Sequence, residues 1–255
     1  MARVSWILPV GPNAGWLNQT LDSVREQTFQ DAELCVIYDG HCELNEMAVD
    51  GLRSSGFKNI RELVVNEPSG IVNALNLGIS NTDSEYLARI DSDDVNLPER
   101  LSVQIEHMSR QKDLFGVGSS AILIDQDSRV IGNRNVVTGV NSVKRKLMWR
   151  NALIHPTVLM RRTALERTGL YNPLAKHCED YELWLRMIAL GNLDNVGRPL
   201  IKYRVHAYQT SRKFQADIAS AAILKARSGA ASTGIEKLSV PLKHKIWLAA
   251  NNLRP

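Results

Sequence analysis

Short apolar runs alternate with helix-length stretches up to about residue 112. The apolar runs have the length of buried strands, and the stretches between them have the length of helices. This pattern predicts strands at 4–9, 33–38, 60–65, 86–90 and 114–118, and helices near 15–27, 44–55, 69–80 and 98–111. Such an alternation is typical of a mostly parallel sheet flanked by helices, so the sequence predicts an α/β fold. Ser69 is the predicted N-cap of the third helix.

The pattern changes after residue 118, where the apolar runs no longer alternate with helices. Two runs that flank residues 125–128 predict a β-hairpin. Its strands are predicted at 121–124 and 130–137, further strands at 157–160, 193–196 and 200–203, and helices near 142–150, 163–168 and 180–190. We predict one domain at 1–211, followed by a helical extension at 212–255.

Composition indicates a globular chain, with 255 residues of which 44% are apolar. No apolar run approaches the roughly 20 residues that span a bilayer, and the N-terminus lacks a signal peptide, so we expect a cytoplasmic protein. Cys35, Cys42 and Cys178 lack metal-ligand spacing, which predicts reduced thiols and argues against zinc. The net charge of +4 favours anionic small molecules or a membrane surface over nucleic acid.

Asp91, Asp93 and Asp94 put three carboxylates into a four-residue loop directly after the predicted strand at 86–90. A loop of this kind at a strand end is suited to hold a divalent cation against a phosphate. The alternative is an acidic turn that caps the following helix.

Polar or turn residues end the other parallel strands as well. Pro9, Asp39 and Asn66 follow or end the first three predicted strands, as Asp91 follows the fourth. Ligands of an open parallel sheet bind beyond the carboxyl ends of its strands. We therefore expect one crevice to collect these four residues.

Glu179 and Asp180 form a second acidic pair, where the predicted helix at 180–190 begins. A carboxylate there can act as a base, but a helix cap would use the same residues because the helix dipole favours the ionised form. Sugar transfer from an activated nucleotide donor needs both a metal-binding acidic loop and a separate carboxylate that takes a proton. Because the chain also has the acidic loop, the sequence favours a base over a helix cap at this position.

In their order along the chain, these motifs resemble those of glycosyltransferase family 2, whose enzymes have the GT-A fold. The resemblance runs from residue 4 to about residue 206. The matching motifs are Ile7-Leu8-Pro9-Val10, Asp39-Gly40, Asn73-Ala74-Leu75-Asn76, Arg89-Ile90-Asp91-Ser92-Asp93-Asp94, His155-Pro156, Glu179-Asp180-Tyr181 and Tyr203-Arg204-Val205-His206. The resemblance implies a Rossmann-like GT-A domain with a donor half at 1–112 and an acceptor half at 113–211.

The resemblance further implies an inverting transfer of a sugar from a UDP- or dTDP-sugar to a glycan or lipid-linked acceptor, in cell-surface polysaccharide assembly. It implies that Asp93 binds Mn²⁺ or Mg²⁺ directly and that Asp91 acts through water or on the ribose. Asp180 would take the acceptor proton. His206 is a further candidate metal ligand, or else a loop histidine. The implied donor-binding residues are Pro9, Val10, Asp39, Asn66, Gly70, Asn76, Arg89, Asp91, Ser92 and Asp93.

The implied acceptor side comprises Glu179, His155 and Trp184. Glu179 would contact acceptor or donor hydroxyls, and the indole of Trp184 would stack on a sugar. Trp184 also fits a helical core stripe, which is the favoured interpretation. Arg161 and Arg162 would neutralise the phosphate of a lipid-linked acceptor, or else they belong to a solvated helix start.

The base pocket departs from the family pattern. Gly11 and Pro12 stand where the family has a tyrosine that helps stack the base, and Asp39 is the one carboxylate left of a usual pair. We hypothesise that Tyr38 or His41 partly rebuilds this pocket. Alternatively, Tyr38 is an ordinary strand aromatic and His41 is a surface turn residue.

The extension at 212–255 carries basic residues among apolar ones, with Ile246, Trp247 and Leu248 in one run. A basic amphipathic helix suits a membrane surface, which would make the protein peripheral at the inner membrane face. The alternatives are a helix that packs on its own domain and a contact in a homodimer.

Two other functions are alternatives to glycosyl transfer. One is a non-catalytic nucleotide-sugar-binding or scaffold protein of the same fold, which the altered base pocket favours. The other is a sugar-phosphate nucleotidylyltransferase, whose glycine-rich phosphate loop has no counterpart in Gly11, Pro12 and Asn13.

Overall fold

The structure is a computed structural model that describes residues 2–12, 14–40, 42–65, 69–207, 209 and 216–252. Its strands are β1 (Val4–Val10), β2 (Ala32–Asp39), β3 (Ile60–Val65), β4 (Tyr86–Arg89), β5 (Val95–Asn96), β6 (Leu114–Ile124), β7 (Val130–Arg134), β8 (Leu159–Arg161) and β9 (Asn192–Arg204). Its α-helices are α1 (Leu17–Arg25), α2 (Glu43–Ser54), α3 (Ile71–Ser80), α4 (Arg100–Ser109), α5 (Val140–Leu147), α6 (Arg162–Thr168), α7 (Glu179–Leu190), α8 (Ala216–Ala230) and α9 (Gly234–Asn252).

In the described part of the chain, nine strands form one mixed sheet. Their order along the sheet is β3-β2-β1-β4-β8-β6-β9-β5, and β7 pairs with β6. The first four strands of this order are mutually parallel, whereas β8 runs antiparallel between β4 and β6. The predicted α/β fold is confirmed, but the predicted fifth strand does not adjoin the fourth, because β8 lies between them.

Two predicted strand breaks are wrong. The runs at 114–118 and 121–124 belong to one strand, β6, whose pairing with β9 shifts register around Ser120. The runs at 193–196 and 200–203 likewise belong to one strand, β9. A long strand can absorb an irregular residue at a bulge without ending.

The two-residue strand β5 was not predicted, because two residues are too few to show an alternating pattern. It pairs antiparallel with β9, and Val95 lies opposite Lys202. The acidic loop that precedes β5 is therefore held between two strands of the sheet rather than between a strand and a helix.

Helix α3 begins differently from the prediction, in which Ser69 was the N-cap. Its N-cap is Gly70, whose φ of 85° is a left-handed conformation that favours glycine. The carboxylate of Asp39, at the end of β2, accepts hydrogen bonds from the N–H groups of Ser69 (2.7 Å) and Gly70 (3.0 Å). The start of α3 is thus tied to the carboxyl end of β2.

Each face of the sheet has its own hydrophobic core. Along β1, Trp6 and Leu8 pack in the core that contains residues of α1 and α4. Ile7 points to the other face and packs in the core that contains residues of α3 and α7. This alternation follows from strand geometry, in which successive side chains point to opposite faces.

The two helices of the extension, α8 and α9, pack on α7. Ile223 of α8 is fully buried, and Trp247 of α9 is 5% exposed. The indole of Trp247 lies 6.0 Å from the ring of Tyr181. This tryptophan therefore faces the domain and not a membrane. Among the described residues, the structure has no helix with the length and apolar content needed to cross a bilayer.

Arg100 is fully buried where α4 meets the sheet. Its guanidinium donates to the carbonyl oxygen of Arg89 (2.8 Å) and to the side-chain oxygens of Asn96 (2.5 Å) and Gln104 (3.1 Å). It also lies 5.1 Å from the ring centre of Trp6. These contacts hold the end of β4, directly before the acidic loop.

We expect Arg100→Met to lower the free energy of unfolding by about 3 kcal/mol, because three buried acceptors lose their donor. Urea denaturation measures this change. Arg110→Met is the control, since the Arg110 side chain is 71% exposed and pairs only at the surface with Glu106. We expect the control to change stability by about 0.5 kcal/mol or less. An Arg100→Met midpoint equal to the wild type would contradict the structural role of Arg100.

Candidate active site

The acidic loop lies at the carboxyl end of β4. Asp91, Asp93 and Asp94 each offer a carboxylate oxygen, and these three atoms lie within 4.8 Å of one another. Ser92 lies among them and is half-buried. Carboxylate oxygens at this spacing are the ligands that Mg²⁺ and Ca²⁺ prefer in proteins. The structure therefore brings together the residues expected to bind a cation.

Asp91 forms an ion pair with Arg89, at the end of β4. The Arg89 side chain is 3% exposed and that of Asp91 is 28% exposed, so the carboxylate is the partner that solvent reaches. The charge of Arg89 also acts on Glu179, Asp180 and His155. Arg89 is therefore paired with the acidic loop and close enough to the second acidic pair for its charge to act there.

Asp93 lies beside His206, although 113 residues separate them in the sequence. The Nε2 atom of His206 is 2.8 Å from the Oδ2 atom of Asp93, and the ring of Trp16 is 4.8 Å from that of His206. Burial, together with the charge of Asp91, raises the pKa of Asp93. The structure thus places His206 against the acidic loop, and its role as a metal ligand stays a prediction.

Asp94 is the most buried of the three carboxylates, and its interpretation as a helix cap is wrong, because β5 follows it. Its Oδ1 atom accepts a hydrogen bond from the backbone N–H of Arg204 in β9 (2.8 Å). Its Oδ2 atom is buried and has no hydrogen-bond partner among the described residues. Burial and the charges of Asp91 and Asp93 raise the pKa of Asp94 well above its usual value. A bound cation would relieve this unfavourable charge, so the loop fits a divalent metal.

The ends of the first two strands lie at the same edge of the sheet. Val10 at the end of β1 is buried, Pro9 is half-buried, and Asp39 ends β2. The other predicted contributors at this edge, Asn66 and His41, lie outside the described residues. The carboxyl ends of β1, β2 and β4 thus lie at one edge of the sheet, and the crevice stays a prediction.

Two residues assigned to the donor side make hydrogen bonds within the protein. The amide of Asn76 donates to the carbonyl oxygen of Tyr171 (2.9 Å) and accepts from its N–H (3.0 Å), so both ends are engaged. Tyr38 is 2% exposed, and its hydroxyl donates to Glu62 (2.8 Å). Because neighbouring strand residues point to opposite faces, Tyr38 points away from the face of Asp39. The hypothesis that Tyr38 rebuilds the base pocket is wrong.

Asp180, the expected base, lies in the first turn of α7. Its Oδ2 atom accepts a hydrogen bond from the side-chain amide of Asn151, and its Oδ1 atom accepts one from the N–H of Tyr181, both at 2.6 Å. Burial raises the pKa of Asp180, and these two hydrogen bonds oppose that increase. They also orient the carboxylate.

Glu179 is 8% exposed, and its Oε2 atom is buried with no hydrogen-bond partner in the described part of the chain. Burial and the charge of Asp180 raise the pKa of Glu179 to about 7. The charge of Asp91 contributes to the same increase. The two acidic groups therefore act on each other electrostatically and belong to one site.

His155 and Trp184 lie close to each other, and Trp184 belongs to the same helix, α7, as this pair. The Nε2 atom of His155 is 2.8 Å from the hydroxyl oxygen of Tyr171. Burial and the charge of Arg89 lower the pKa of His155 well below its usual value, so its imidazole is neutral. Trp184 is fully buried, 6.0 Å from the His155 ring. The assignment of Trp184 to sugar stacking is wrong, because a fully buried indole has no face for an acceptor, and its interpretation as a core residue is confirmed.

Arg161 and Arg162 lie at the end of β4 opposite to the acidic loop, where Arg161 is paired with Tyr86. The Nε atom of Arg161 donates to the carbonyl oxygen of Leu114 (3.0 Å), and that of Arg162 donates to Ser84 (2.7 Å). Their interpretation as phosphate ligands is wrong, because they bind backbone carbonyls far from the site.

Three residues of the site had no signal in the sequence. Asn151 orients Asp180, and Tyr171 contacts His155. Arg134, at the end of β7, lies 5.8 Å from the ring centre of Tyr203, and its charge reaches Asp180. Each comes from an element that is distant in the sequence, so no local motif contains it.

Comparison with known proteins gives a consistent assignment. The sequence profile of the family described as "Glycosyl transferase family 2" matches residues 5–169. The O-antigen biosynthesis glycosyltransferase WbnJ of Escherichia coli is 30% identical over 213 residues, which cover 82% of each chain. An uncharacterised glycosyltransferase of Haemophilus influenzae is 25% identical over 205 residues, which cover 77% of this chain but 63% of the relative.

Solved structures with the same fold include the first 349 residues of S. aureus TarS in complex with UDP-GlcNAc. That chain has a TM-score of 0.75 and 13% identity, over 96% of this chain and 71% of TarS 1-349. The mannosyltransferase PcManGT from Pyrobaculum calidifontis, in complex with GDP-Man and Mn²⁺, has a TM-score of 0.65 and 15% identity, over 98% of this chain and 70% of that chain. At these identities the likeness concerns the fold alone.

The raised pKa of Glu179 gives stability a specific pH dependence. Its pKa rises from 4.5 to about 7 on folding. Protonation of Glu179 therefore stabilises the fold, and this contribution is fully present below pH 4.5 and is lost as the pH rises through about 7. We expect Glu179→Gln to exceed the wild type in stability at pH 8 by on the order of 3 kcal/mol, because glutamine carries no charge.

Denaturant unfolding of both proteins between pH 4 and pH 8 measures this difference. The control is Glu166→Gln, which makes the same chemical change at an exposed position of α6. A Glu179→Gln difference that is equal at both ends of the pH range would contradict the burial of this charge.

Proposed function

This chain belongs to glycosyl transferase family 2, and from that premise we propose that it transfers a sugar from a nucleotide-diphosphate donor to a glycan or lipid-linked acceptor. The predicted family and GT-A fold are confirmed by these matches. The observation that carries the proposal is the meeting of the acidic loop and the Glu179–Asp180 pair around Arg89. The names of relatives, O-antigen and amylovoran biosynthesis glycosyltransferases, support a role in surface polysaccharide assembly.

For the donor we propose a uridine or thymidine diphosphate sugar. Asp39 would accept a hydrogen bond from the base, and its two bonds to the backbone of Ser69 and Gly70 already hold its carboxylate at the strand end. TarS was solved with UDP-GlcNAc and PcManGT with GDP-Man on the same fold, so the proposal for the base rests on Asp39.

We propose that Asp91, Asp93 and Asp94 hold Mn²⁺ or Mg²⁺, with His206 either as a further ligand or as the residue that orients Asp93. The metal would supply Lewis-acid stabilisation of the negative charge on the departing diphosphate. The unpartnered Oδ2 atom of Asp94 and the mutual repulsion of the three carboxylates support this assignment.

Asp180 would take the proton of the acceptor hydroxyl as that oxygen attacks the anomeric carbon from the side opposite to the diphosphate. Asn151 and the N–H of Tyr181 orient the carboxylate for this task. With a pKa of about 7, Glu179 is protonated in part at neutral pH, so it can donate a hydrogen bond to a sugar hydroxyl. The two neighbouring carboxyl groups would thus have different roles, Asp180 as proton acceptor and Glu179 as hydrogen-bond donor.

A substitution pair tests the metal and the base separately. We expect Asp93→Ala to lose Mn²⁺-dependent thermal stabilisation by UDP- and dTDP-sugars. We expect Asp180→Asn to retain donor binding and to slow transfer by about 10²- to 10⁴-fold, since it removes the proton acceptor. Thermal shift and donor consumption across a panel of nucleotide sugars measure both effects.

Asp22→Asn is the control, because Asp22 is 56% exposed and pairs with Arg25 on the surface of α1. Normal transfer by Asp180→Asn would refute the base assignment. Donor binding without transfer to any acceptor in the wild type would favour the alternative, a non-catalytic nucleotide-sugar-binding protein.

Helix α9 supports a second proposal, that the protein lies on the inner membrane face. Its inward face carries Val240, His244 and Trp247, yet its outward face is apolar as well. The exposed apolar residues are Ile235 (82%), Leu238 (84%), Leu242 (61%) and Ile246 (46%). This spacing makes one stripe along a helix, and lysines on the same helix would attract anionic lipid headgroups.

We expect the full chain to co-sediment with vesicles that contain phosphatidylglycerol, and Leu238→Glu with Leu242→Glu to reduce the bound fraction by about fivefold or more. The control places glutamate at Leu44 and Met47, which are 75% and 67% exposed on α2. Equal sedimentation of both double variants would refute the membrane contact. A change in oligomeric state of the α9 variant, with no vesicle binding by the wild type, would assign the stripe to a homodimer.

A further inference from the structure

Three basic side chains, those of Arg134, Lys146 and Arg150, carry positive charges that act on one another near the expected base. The backbone N–H of Arg150 donates to the carbonyl oxygen of Lys146 (2.9 Å). Arg134 ends β7, Lys146 lies in the last turn of α5, and Arg150 lies three residues after that helix. Arg134 and Arg150 are exposed, and Lys146 is half-buried. We call these three residues the basic cluster.

The backbone around the basic cluster is held together by one side chain of β9. The amide nitrogen of Asn195 donates to the carbonyl oxygens of Val137 (2.9 Å) and Ala152 (3.2 Å). Val137 follows Arg134 by three residues, and Ala152 follows Arg150 by two. Asn195 therefore joins the segment after β7 to the segment after α5.

The positive charges of the basic cluster act on one another. Burial and the charges of Arg150 and Arg134 lower the pKa of Lys146. No ion pair to the cluster occurs among the described residues. Like charges that are gathered without an ion pair favour the binding of an anion, and here the charge of Arg134 also reaches the carboxylate of Asp180.

The basic cluster also borders the reacting groups. Arg150 directly precedes Asn151, whose amide bonds to Asp180 at 2.6 Å. The guanidinium of Arg134 lies 5.8 Å from the ring of Tyr203, and the charges of the acidic loop act on the hydroxyl of that tyrosine. An anion held by the cluster would thus lie on the side of the proposed base.

We propose that Arg134, Lys146 and Arg150 bind a phosphate or diphosphate group of the acceptor, in a site separate from the donor site. This inference rests on the proposed glycosyl transfer, since it names the chemistry of the acceptor. Guanidinium groups bind phosphate oxygens in pairs, and a lysine adds a point charge, so the three cations match a multiply charged oxyanion. The group would place an acceptor hydroxyl near Asp180.

Inorganic pyrophosphate is the probe, titrated into the full chain by calorimetry with EDTA present, so that no metal links it to the acidic loop. We expect the triple variant Arg134→Gln, Lys146→Gln and Arg150→Gln to bind pyrophosphate about tenfold or more weakly than the wild type. We expect its Tm to equal or exceed that of the wild type, because the substitutions remove repulsion.

The control variant carries Arg25→Gln, Arg110→Gln and Arg198→Gln, which change the net charge equally at exposed positions. We expect it to bind pyrophosphate within about twofold of the wild type, because salt screens the effect of distant surface charges. Equal weakening in both triple variants would overturn the proposal, and so would a lower Tm in the cluster variant, which would mark these side chains as structural.

Two further measurements are needed. One distinguishes a lipid headgroup from the phosphate of an acceptor, and the other distinguishes this proposal from the proposed glycosyl transfer. If the cluster variant lost binding to phosphatidylglycerol vesicles and kept its affinity for pyrophosphate, the cluster would contact lipid headgroups and the acceptor site would be refuted. Mn²⁺-dependent binding of nucleotide sugar tests the donor site alone, and we expect the cluster variant to retain it. Failure of donor binding in the wild type would therefore refute glycosyl transfer and leave the phosphate site standing.

Discussion

The buried guanidinium of Arg89 is the charge on which the acidic cleft depends. We use this name for the acidic loop together with the Glu179–Asp180 pair. A charge taken out of water is costly unless it is paired or hydrogen-bonded. Arg89 is paired with Asp91, whereas its Nε atom has no hydrogen-bond partner among the described residues. Its charge also opposes the unfavourable burial of Glu179 and Asp180. The carbonyl oxygen of Arg89 is in turn held by Arg100 at 2.8 Å. The packing of α4 on the sheet therefore determines where both acidic groups meet.

The cleft combines charges that burial makes costly. Burial raises the pKa of Asp93, Asp94, Glu179 and Asp180, and each pKa also responds to a neighbouring charge. Groups with raised pKa values in a cleft are typical of sites that bind cations or move protons. One arrangement of side chains thus reduces the stability of the protein and fits the proposed metal and the proposed proton transfer.

The C-terminal helices contact Tyr181, which is next to the expected base. Arg227 of α8 is fully buried and donates to the hydroxyl of Tyr181 (2.8 Å), the neighbour of Asp180. That hydroxyl donates to the carbonyl oxygen of Leu147 (2.6 Å), at the end of α5. The extension is thus part of the support for the expected base, while the outward stripe of α9 faces away from the domain.

The sequence by itself determined the parallel strands up to β4, the acidic loop at its end and the Glu179–Asp180 pair at a helix start, because each is a local pattern of a few residues. Only the tertiary structure decided that β8 separates β4 from β6, that His206 meets Asp93 across 113 residues, and that Trp184 is core. These outcomes depend on pairing and burial between distant segments. Local periodicity carries no information about which distant segment will cover a side chain.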